Sequence, residues 1–101
     1  MRIKNILFAV VFSFLSVVAS AQAVGGVVSA SDTKEPLIGA AIYWLNTTVG
    51  VSSNADGDYS IHRVKGYDKL VATYVGYSND TLLVEQGVTK VDFALKSDTE
   101  I

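Results

Sequence analysis

Few side chains in this 101-residue sequence have the types and spacing needed for chemistry. His62 is the only histidine and there is no cysteine, so the usual zinc ligand sets cannot be assembled. His62 lies between Ile61 and Arg63, which predicts a solvent-facing histidine within a strand. No G-x-S-x-G motif gives any serine the setting of a catalytic nucleophile. The sequence therefore predicts no catalytic residues, no metal site and no cofactor.

Residues 54–58, with the sequence NADGD, come closest to a cation-binding loop. An EF-hand loop requires glycine at its sixth position and a bidentate glutamate at its twelfth. Counting from Asn54 places Tyr59 and Lys65 at those two positions, so an EF-hand is excluded. The favoured interpretation is a tight turn in which Gly57 has a positive φ and the carboxylates bind nearby backbone amides. An adventitious Ca²⁺ is the alternative.

Five aromatic side chains allow either a sugar-stacking surface or packing within a hydrophobic core. They are Tyr43, Trp44, Tyr59, Tyr74 and Tyr77. These residues lie on several different predicted strands, mostly at alternating apolar positions, so core packing is the favoured interpretation. Tyr43 is the candidate for an exposed position because it faces away from Ile42 and Trp44 in an extended chain.

The predicted strands that would hold these side chains begin after an N-terminal segment with the features of a signal peptide. Residues 1–21 have the three parts of a cleavable secretory signal peptide: basic residues, an apolar stretch over residues 6–18, and the small-residue site A-S-A. That stretch is shorter than the ~20 apolar residues a membrane-spanning helix needs. Cleavage is predicted after Ala21, with Ala23 (A-Q-A) as the alternative. No cysteine lies near the cleavage site, so an N-terminal lipid anchor is excluded. Because of the signal peptide, the mature chain is expected to be exported.

The mature chain would be acidic. The full sequence has 8 Lys+Arg and 10 Asp+Glu, and the loss of Arg2 and Lys4 leaves 6 against 10, a net charge of −4. Nucleic-acid binding requires Lys and Arg contacts to phosphates, so this composition argues against it, and against a polybasic membrane patch. Without disulfides, stability depends on the core alone. For about 80 residues it amounts to roughly 4–12 kcal/mol.

Short strand-forming runs separated by turn residues follow the signal, and no stretch shows a sustained helical period. The predicted strands cover residues 26–30, 40–45, 50–53, 59–64, 69–75, 77–85 and 90–96. In the last of them Val91, Phe93 and Leu95 alternate with polar residues, which indicates one buried face. The pattern predicts an all-β, seven-stranded antiparallel sandwich over residues 25–96. Residues 22–24 would form a short N-terminal lead, and residues 97–101 the start of a linker.

Four sequence blocks resemble motifs of the carboxypeptidase-regulatory-like family. Residues 35–42 (EPLIGAAI) resemble "xPLxGAxV", and residues 46–50 (NTTVG) resemble "GTTxG" with Asn46 in place of the usual glycine. Residues 54–61 (NADGDYSI) resemble "DxDGxFxL", and residues 70–77 (LVATYVGY) resemble "LxxSYxGY". The blocks follow the family's order and spacing. Membership implies a transthyretin-like (prealbumin-like, Ig-like) sandwich and no catalysis by the domain itself.

A signal peptide followed directly by such a domain resembles the beginning of the TonB-dependent outer-membrane receptors of Bacteroidetes, including SusC-like glycan transporters. This resemblance implies a non-enzymatic module for nutrient import at the periplasmic face of the outer membrane, and a chain that is a fragment. Its partners would be the receptor's plug and barrel, and TonB or a partner lipoprotein. Nucleic acid is not expected as a partner, nor is a membrane span after signal cleavage.

Two other functions compete with the receptor module. The chain could be a stand-alone exported module for binding or adhesion, with a stop codon after Ile101. A transthyretin-like hydrolase would require several His and Arg in a cleft and a characteristic C-terminal tetrapeptide. One histidine and the ending D-T-E-I disfavour the enzyme.

Overall fold

The computed structural model describes residues 22–98, so the predicted signal peptide, residues 1–21, lies outside the described residues. Within them the chain forms seven strands and no helix, and hence contains no helix able to span a membrane. The strands are β1 (Ala23–Ala30), β2 (Ala41–Trp44), β3 (Gly50–Ser52), β4 (Asp58–His62), β5 (Lys69–Thr73), β6 (Asp80–Leu83) and β7 (Phe93–Leu95). The prediction of an all-β fold with seven strands is confirmed.

The strands form two sheets, one of three strands in the order β4-β1-β7 and one of four in the order β3-β2-β5-β6. Neighbouring strands are antiparallel in every pair except β1–β7, where Val28 is the partner of Phe93 and the strands run parallel. This pair corrects the prediction of an entirely antiparallel sandwich. Because β6 and β7 belong to different sheets, the chain passes from the four-stranded sheet to the three-stranded sheet after β6. There β7 pairs with β1 and runs in the same direction as β1.

The core lies between the sheets and takes alternate residues from each strand. In β2, Ile42 and Trp44 are fully buried, whereas Ala41 is exposed and Tyr43 half-buried. The buried apolar cluster has fourteen members: Val24, Val28, Ala30, Leu37, Ala40, Ile42, Trp44, Tyr59, Ile61, Leu70, Ala72, Val84, Phe93 and Leu95. Burial of one large aliphatic or aromatic side chain contributes about 1.5–3 kcal/mol. In a protein without cysteine, this cluster is the main source of stability.

The ordered domain is longer at both ends than the predicted strands. β1 begins at Ala23 rather than at residue 26, and Val24 is fully buried, so the predicted lead of residues 22–24 shrinks to Gln22. At the other end Ser97 forms a bridge with Tyr77, and Asp98 N donates to Gly76 O at 3.0 Å. Backbone pairing extends the domain at this end, and backbone pairing has no signature in the side-chain pattern.

The turn over residues 54–58 has the predicted backbone but a different side-chain acceptor. Gly57 has a φ of +79°, as expected. The side chain that binds the backbone is the Asn54 amide, whose oxygen accepts from Asp56 N and Asp58 N at 3.0 Å each. This bonding replaces the carboxylate-to-amide bonds expected from the sequence. Asn54 therefore closes the turn locally, and the turn needs no cation to explain it.

Among the described residues, Ser53 is the only polar residue that is buried, and it links the loop before β2 to the end of β3. Its hydroxyl donates to Leu37 O at 2.6 Å and accepts from Ala40 N at 2.9 Å. We expect Ser53→Ala to lower the free energy of unfolding by about 1–3 kcal/mol, because two buried backbone groups lose a partner. Urea unfolding measures this loss. The control is Ser52→Ala at an exposed position, and equal losses in the two variants would contradict the assignment.

Candidate interaction surfaces

The structure places the predicted histidine on the surface, away from any assembled reactive group. His62 is exposed at the end of β4, and its backbone carbonyl accepts from Trp44 Nε1 at 2.8 Å. The prediction of a solvent-facing strand histidine is confirmed. Across residues 22–98, no three His, Cys, Asp or Glu side chains form a group that could hold a metal ion.

Arg63 has a role that the sequence did not reveal. Its guanidinium donates to the carbonyl oxygens of Glu85 at 2.6 Å, Val88 at 2.9 Å and Val84 at 3.3 Å, and so fixes the turn between β6 and β7. The guanidinium carbon, Cζ, of Arg63 lies 5.8 Å from the centroid of the Trp44 ring, within cation–π range. A planar group with five donors suits this set of carbonyls, whereas a lysine could not reproduce it. Arg63 thus orders the loop between β6 and β7.

At Gly25 and Gly26 the segment before β7 crosses close to β1, and we call this contact the junction of the first and last strands. Gly25 N donates to Thr89 O, and Val91 N donates to Gly25 O, each at 2.9 Å. The Asp92 carboxylate accepts from Val27 N at 2.9 Å. A glycine pair inside a strand is a sequence signal for such a close backbone approach. The junction joins the first and last strands of the domain.

Tyr59 completes this junction by donating its hydroxyl to Val91 O at 2.5 Å. Burial raises the pKa of Tyr59, and the nearby Asp92 carboxylate raises it further. A tyrosine in the unfolded chain ionises near pH 10, whereas Tyr59 in the folded domain stays neutral above that pH. The contribution of Tyr59 to stability is therefore complete below about pH 10 and is lost as pH rises above it.

Tyr59→Phe tests this linkage. At neutral pH we expect a loss of about 1 kcal/mol, because the hydrogen bond to Val91 disappears. Between about pH 9 and pH 11 we expect the wild-type chain to lose more stability than Tyr59→Phe, because the variant has no phenol to ionise at this position. Urea unfolding at several pH values measures the difference. Tyr67→Phe, at an exposed tyrosine, is the control, and parallel pH profiles for wild type and Tyr59→Phe would contradict the prediction.

The outer face of the four-stranded sheet carries few charges. Strand register and alternation place eight side chains on it: Ala41, Tyr43, Ser52, Lys69, Val71, Thr73, Thr81 and Leu83. Lys69 is the only charged member. Val71 is 3% exposed although it lies outside the core cluster, and its cross-strand partner is Tyr43. Leu83, in contrast, is 60% exposed at the edge strand.

The burial of the five aromatic residues distinguishes core packing from a sugar-stacking surface. Trp44 and Tyr59 are buried, and Tyr74 packs edge-on against Tyr77 at 5.6 Å beside the core. Core packing is thus confirmed for four of the five. Tyr43 is half-buried on the outer face, where it lies alone among the five. One aromatic ring does not make a sugar-stacking platform, but it can contribute to a protein contact.

These features define a class of protein: a two-layer β-sandwich module whose described residues contain no group of three or more His, Cys, Asp or Glu that could hold a metal ion. The sequence matches the CarboxypepD_reg-like domain over residues 24–101, and the chain belongs to that family.

Two similar proteins are much longer than this chain. The chain is 35% identical to the TonB-dependent receptor SusC of Bacteroides thetaiotaomicron over 100 residues, which is 97% of this chain and 10% of that receptor. It is 38% identical to the TonB-dependent receptor P26 of Formosa agariphila over 81 residues, which is 80% of this chain and 8% of that receptor. The chain thus spans about a tenth of the length of these curated relatives. Both carry the names of receptors rather than of enzymes.

Proposed function

We propose that this domain is a non-enzymatic N-terminal module of a TonB-dependent outer-membrane receptor, and that the chain is a fragment of that receptor. One observation carries the proposal: the domain matches two TonB-dependent receptors over most of its own length and about a tenth of theirs. Within such a receptor the sandwich would lie at the periplasmic face of the outer membrane and assist nutrient import. The transported substrate would be selected by the plug and barrel.

The physical character of the domain supports a passive role. The described residues contain no group of ligands for a metal ion, and the lone histidine is exposed. Catalysis would require an acid, a base or a nucleophile placed within hydrogen-bond reach of one another. The outer face defined above offers instead a weakly charged area, which suits contact with the receptor's other parts, TonB or a partner lipoprotein.

The nucleotide sequence beyond codon 101 is the most direct test of this proposal. We expect the reading frame to continue into a plug and barrel. An antibody against the sandwich should detect a protein about ten times the 10.8 kDa of this chain in the outer-membrane fraction. A stop codon after Ile101, together with a small periplasmic band, would overturn the receptor assignment and support the stand-alone binding or adhesion module.

A further inference from the structure

We infer that one end of the sandwich, formed by two exposed turns, is the contact surface for the next folded unit of the same receptor chain. The turns are residues 37–40, which contain Ile38, and residues 74–77, which contain Val75. We call them the exit turns, because the chain leaves the sandwich beside them. The inference rests on the proposed receptor function and names the part of the receptor that this end of the domain contacts.

Each exit turn carries an aliphatic side chain that is largely exposed. Val75 is 93% exposed and Ile38 is 58% exposed. Each precedes a glycine with a positive φ, +81° at Gly39 and +85° at Gly76, which is the geometry of a type II turn. The glycine satisfies the conformational requirement of such a turn, and the residue before it needs no aliphatic side chain. Turn chemistry therefore does not account for Ile38 and Val75.

Hydrogen bonds hold the backbone of both exit turns in place. In the first turn the Ser53 hydroxyl donates to Leu37 O and accepts from Ala40 N. In the second, Tyr77 N donates to Tyr74 O at 3.0 Å, and the two tyrosine rings pack edge-on. A surface that is already ordered loses little conformational freedom when a partner binds. The exit turns are thus preorganised for contact.

An uncharged groove lies between the exit turns. It has a volume of about 380 Å³ and is lined by Gly39, Ala41, Thr73, Tyr74 and Val75. Ala41 and Thr73 are register partners in the β2–β5 ladder and belong to the outer face of the four-stranded sheet, so the groove adjoins that face. The centre of a protein contact is depleted of charged residues and enriched in tyrosine, and this groove has that composition.

The opposite end of the sandwich has a different character. The groove at that end contains both signs of charge, since it is lined by Leu45, Asn46, Gly66, Tyr67, Asp68 and Lys69. Val49 is 42% exposed there, far less than Val75 at the exit turns. The described chain begins at that end, where the Gln22 carbonyl accepts from Arg63 N at 3.1 Å. The uncharged groove and the most exposed aliphatic side chain therefore lie at the end where the chain leaves.

The course of the chain identifies the occupant of the exit turns. Strand β7 leads to Asp98, whose N–H donates to Gly76 O at 3.0 Å, directly beside Val75. The residues after position 98 therefore start at this end of the sandwich. As the N-terminal module of a receptor about ten times longer, the domain would be followed by the rest of that chain. A unit on a short linker has an effective concentration on the order of millimolar, so a contact too weak for a free partner is occupied.

The chemistry of the exit turns also specifies what the next unit must present. Ile38, Val75 and the uncharged groove require an apolar patch opposite them. Lys96 and Asp98 are exposed beside the second turn and form a charged rim of both signs. Interfaces between domains of one chain are generally of this kind, modest in area and more polar than obligate interfaces.

Cysteine labelling tests the inference, because the 101-residue chain contains no cysteine of its own. Val75→Cys is placed in the full-length receptor and in the 101-residue chain, and the rate of maleimide labelling at position 75 is measured for both in the same detergent. The labelled peptide is identified by its mass. We expect labelling to be at least about tenfold slower in the receptor, because the tethered unit covers this position most of the time. Val49→Cys, at the opposite end, is the matched control and should be labelled equally fast in both.

The possible outcomes separate this inference from the receptor assignment. Equal rates for Val75→Cys in the two proteins would overturn the inference and leave the receptor assignment intact. Protection that grows with the concentration of the 101-residue chain would overturn it in favour of a second copy. Protection in whole membranes that is lost in the purified receptor would overturn it in favour of a separate partner protein. A stop codon after Ile101 would overturn the receptor assignment and, with it, the proposed occupant.

A charged variant tests the same contact through the linker that follows the sandwich. Because Val75 is almost fully exposed, we expect Val75→Asp to leave the thermal unfolding of the 101-residue chain unchanged. In the receptor, Val75→Asp should speed limited proteolysis between the sandwich and the next unit at least about tenfold, because the two separate and expose the linker. Val49→Asp is the control and should be cleaved like wild type. A wild-type cleavage rate for the Val75→Asp receptor would refute the inference.

Discussion

Replacing Ile42 by aspartate is expected to leave the domain unfolded at neutral pH. Ile42 is fully buried in β2, between its partners Val51 on β3 and Ala72 on β5. Removal of the aliphatic side chain alone costs about 2–5 kcal/mol, and a buried carboxylate without a partner adds several more. For a domain whose total stability is roughly 4–12 kcal/mol, the combined loss is sufficient for unfolding.

The adjacent residue provides a matched control for this experiment. Ala41 is exposed on the outer face of the same strand, so Ala41→Asp introduces the same charge one residue away into solvent. We expect thermal unfolding of Ala41→Asp to remain cooperative and close to wild type, and Ile42→Asp to show no cooperative transition. Ile42→Val, which loses about 0.5–1.5 kcal/mol, should still fold. A wild-type melting curve for Ile42→Asp would refute the strand assignment.

Residue alternation is the part of the fold that the sequence shows directly. In β2 and β7 the apolar residues at every second position predict the buried face correctly, because a strand places successive side chains on opposite faces. The turn glycine Gly57 has the expected positive φ, since few other residues adopt that conformation. Both signals are local, and each can be interpreted from a few neighbouring residues.

Contacts between distant parts of the chain are the part that the sequence does not show. Nothing in the local pattern specifies that Phe93 runs parallel to Val28, 65 positions earlier in the chain. The carbonyls that Arg63 binds are backbone groups, which every residue carries, so their identity leaves no trace in the sequence. The outer face around Tyr43 likewise depends on which strands become neighbours. A candidate surface is thus predictable only after the register is known.

Among the Gly→Ala substitutions in this domain, Gly26→Ala is expected to lower the free energy of unfolding most. A Cβ atom at Gly26 would overlap the carbonyl oxygen of Val91 and would lie 2.6 Å from the Val91 carbonyl carbon and 2.8 Å from Asp92 Oδ1. The obstacle is mainly backbone, so no side-chain rotation relieves it. The bonds from Tyr59 to Val91 O and from Val27 to Asp92 hold that backbone in place. We expect a loss of at least about 3 kcal/mol, at the upper end of overpacking effects.

Gly39→Ala separates this close approach from conformational strain. Gly39 has a φ of +81°, and no atom beyond its two chain neighbours would lie within 4 Å of an alanine Cβ there, so the variant tests the left-handed backbone alone. That conformation costs an ordinary residue about 1–2 kcal/mol. Gly26 has no positive φ, so its loss would come from the crossing of β1 by the segment before β7. Urea unfolding should therefore show a clearly larger loss for Gly26→Ala. A loss equal to or smaller than that of Gly39→Ala would mean that the first and last strands approach less closely than this junction requires.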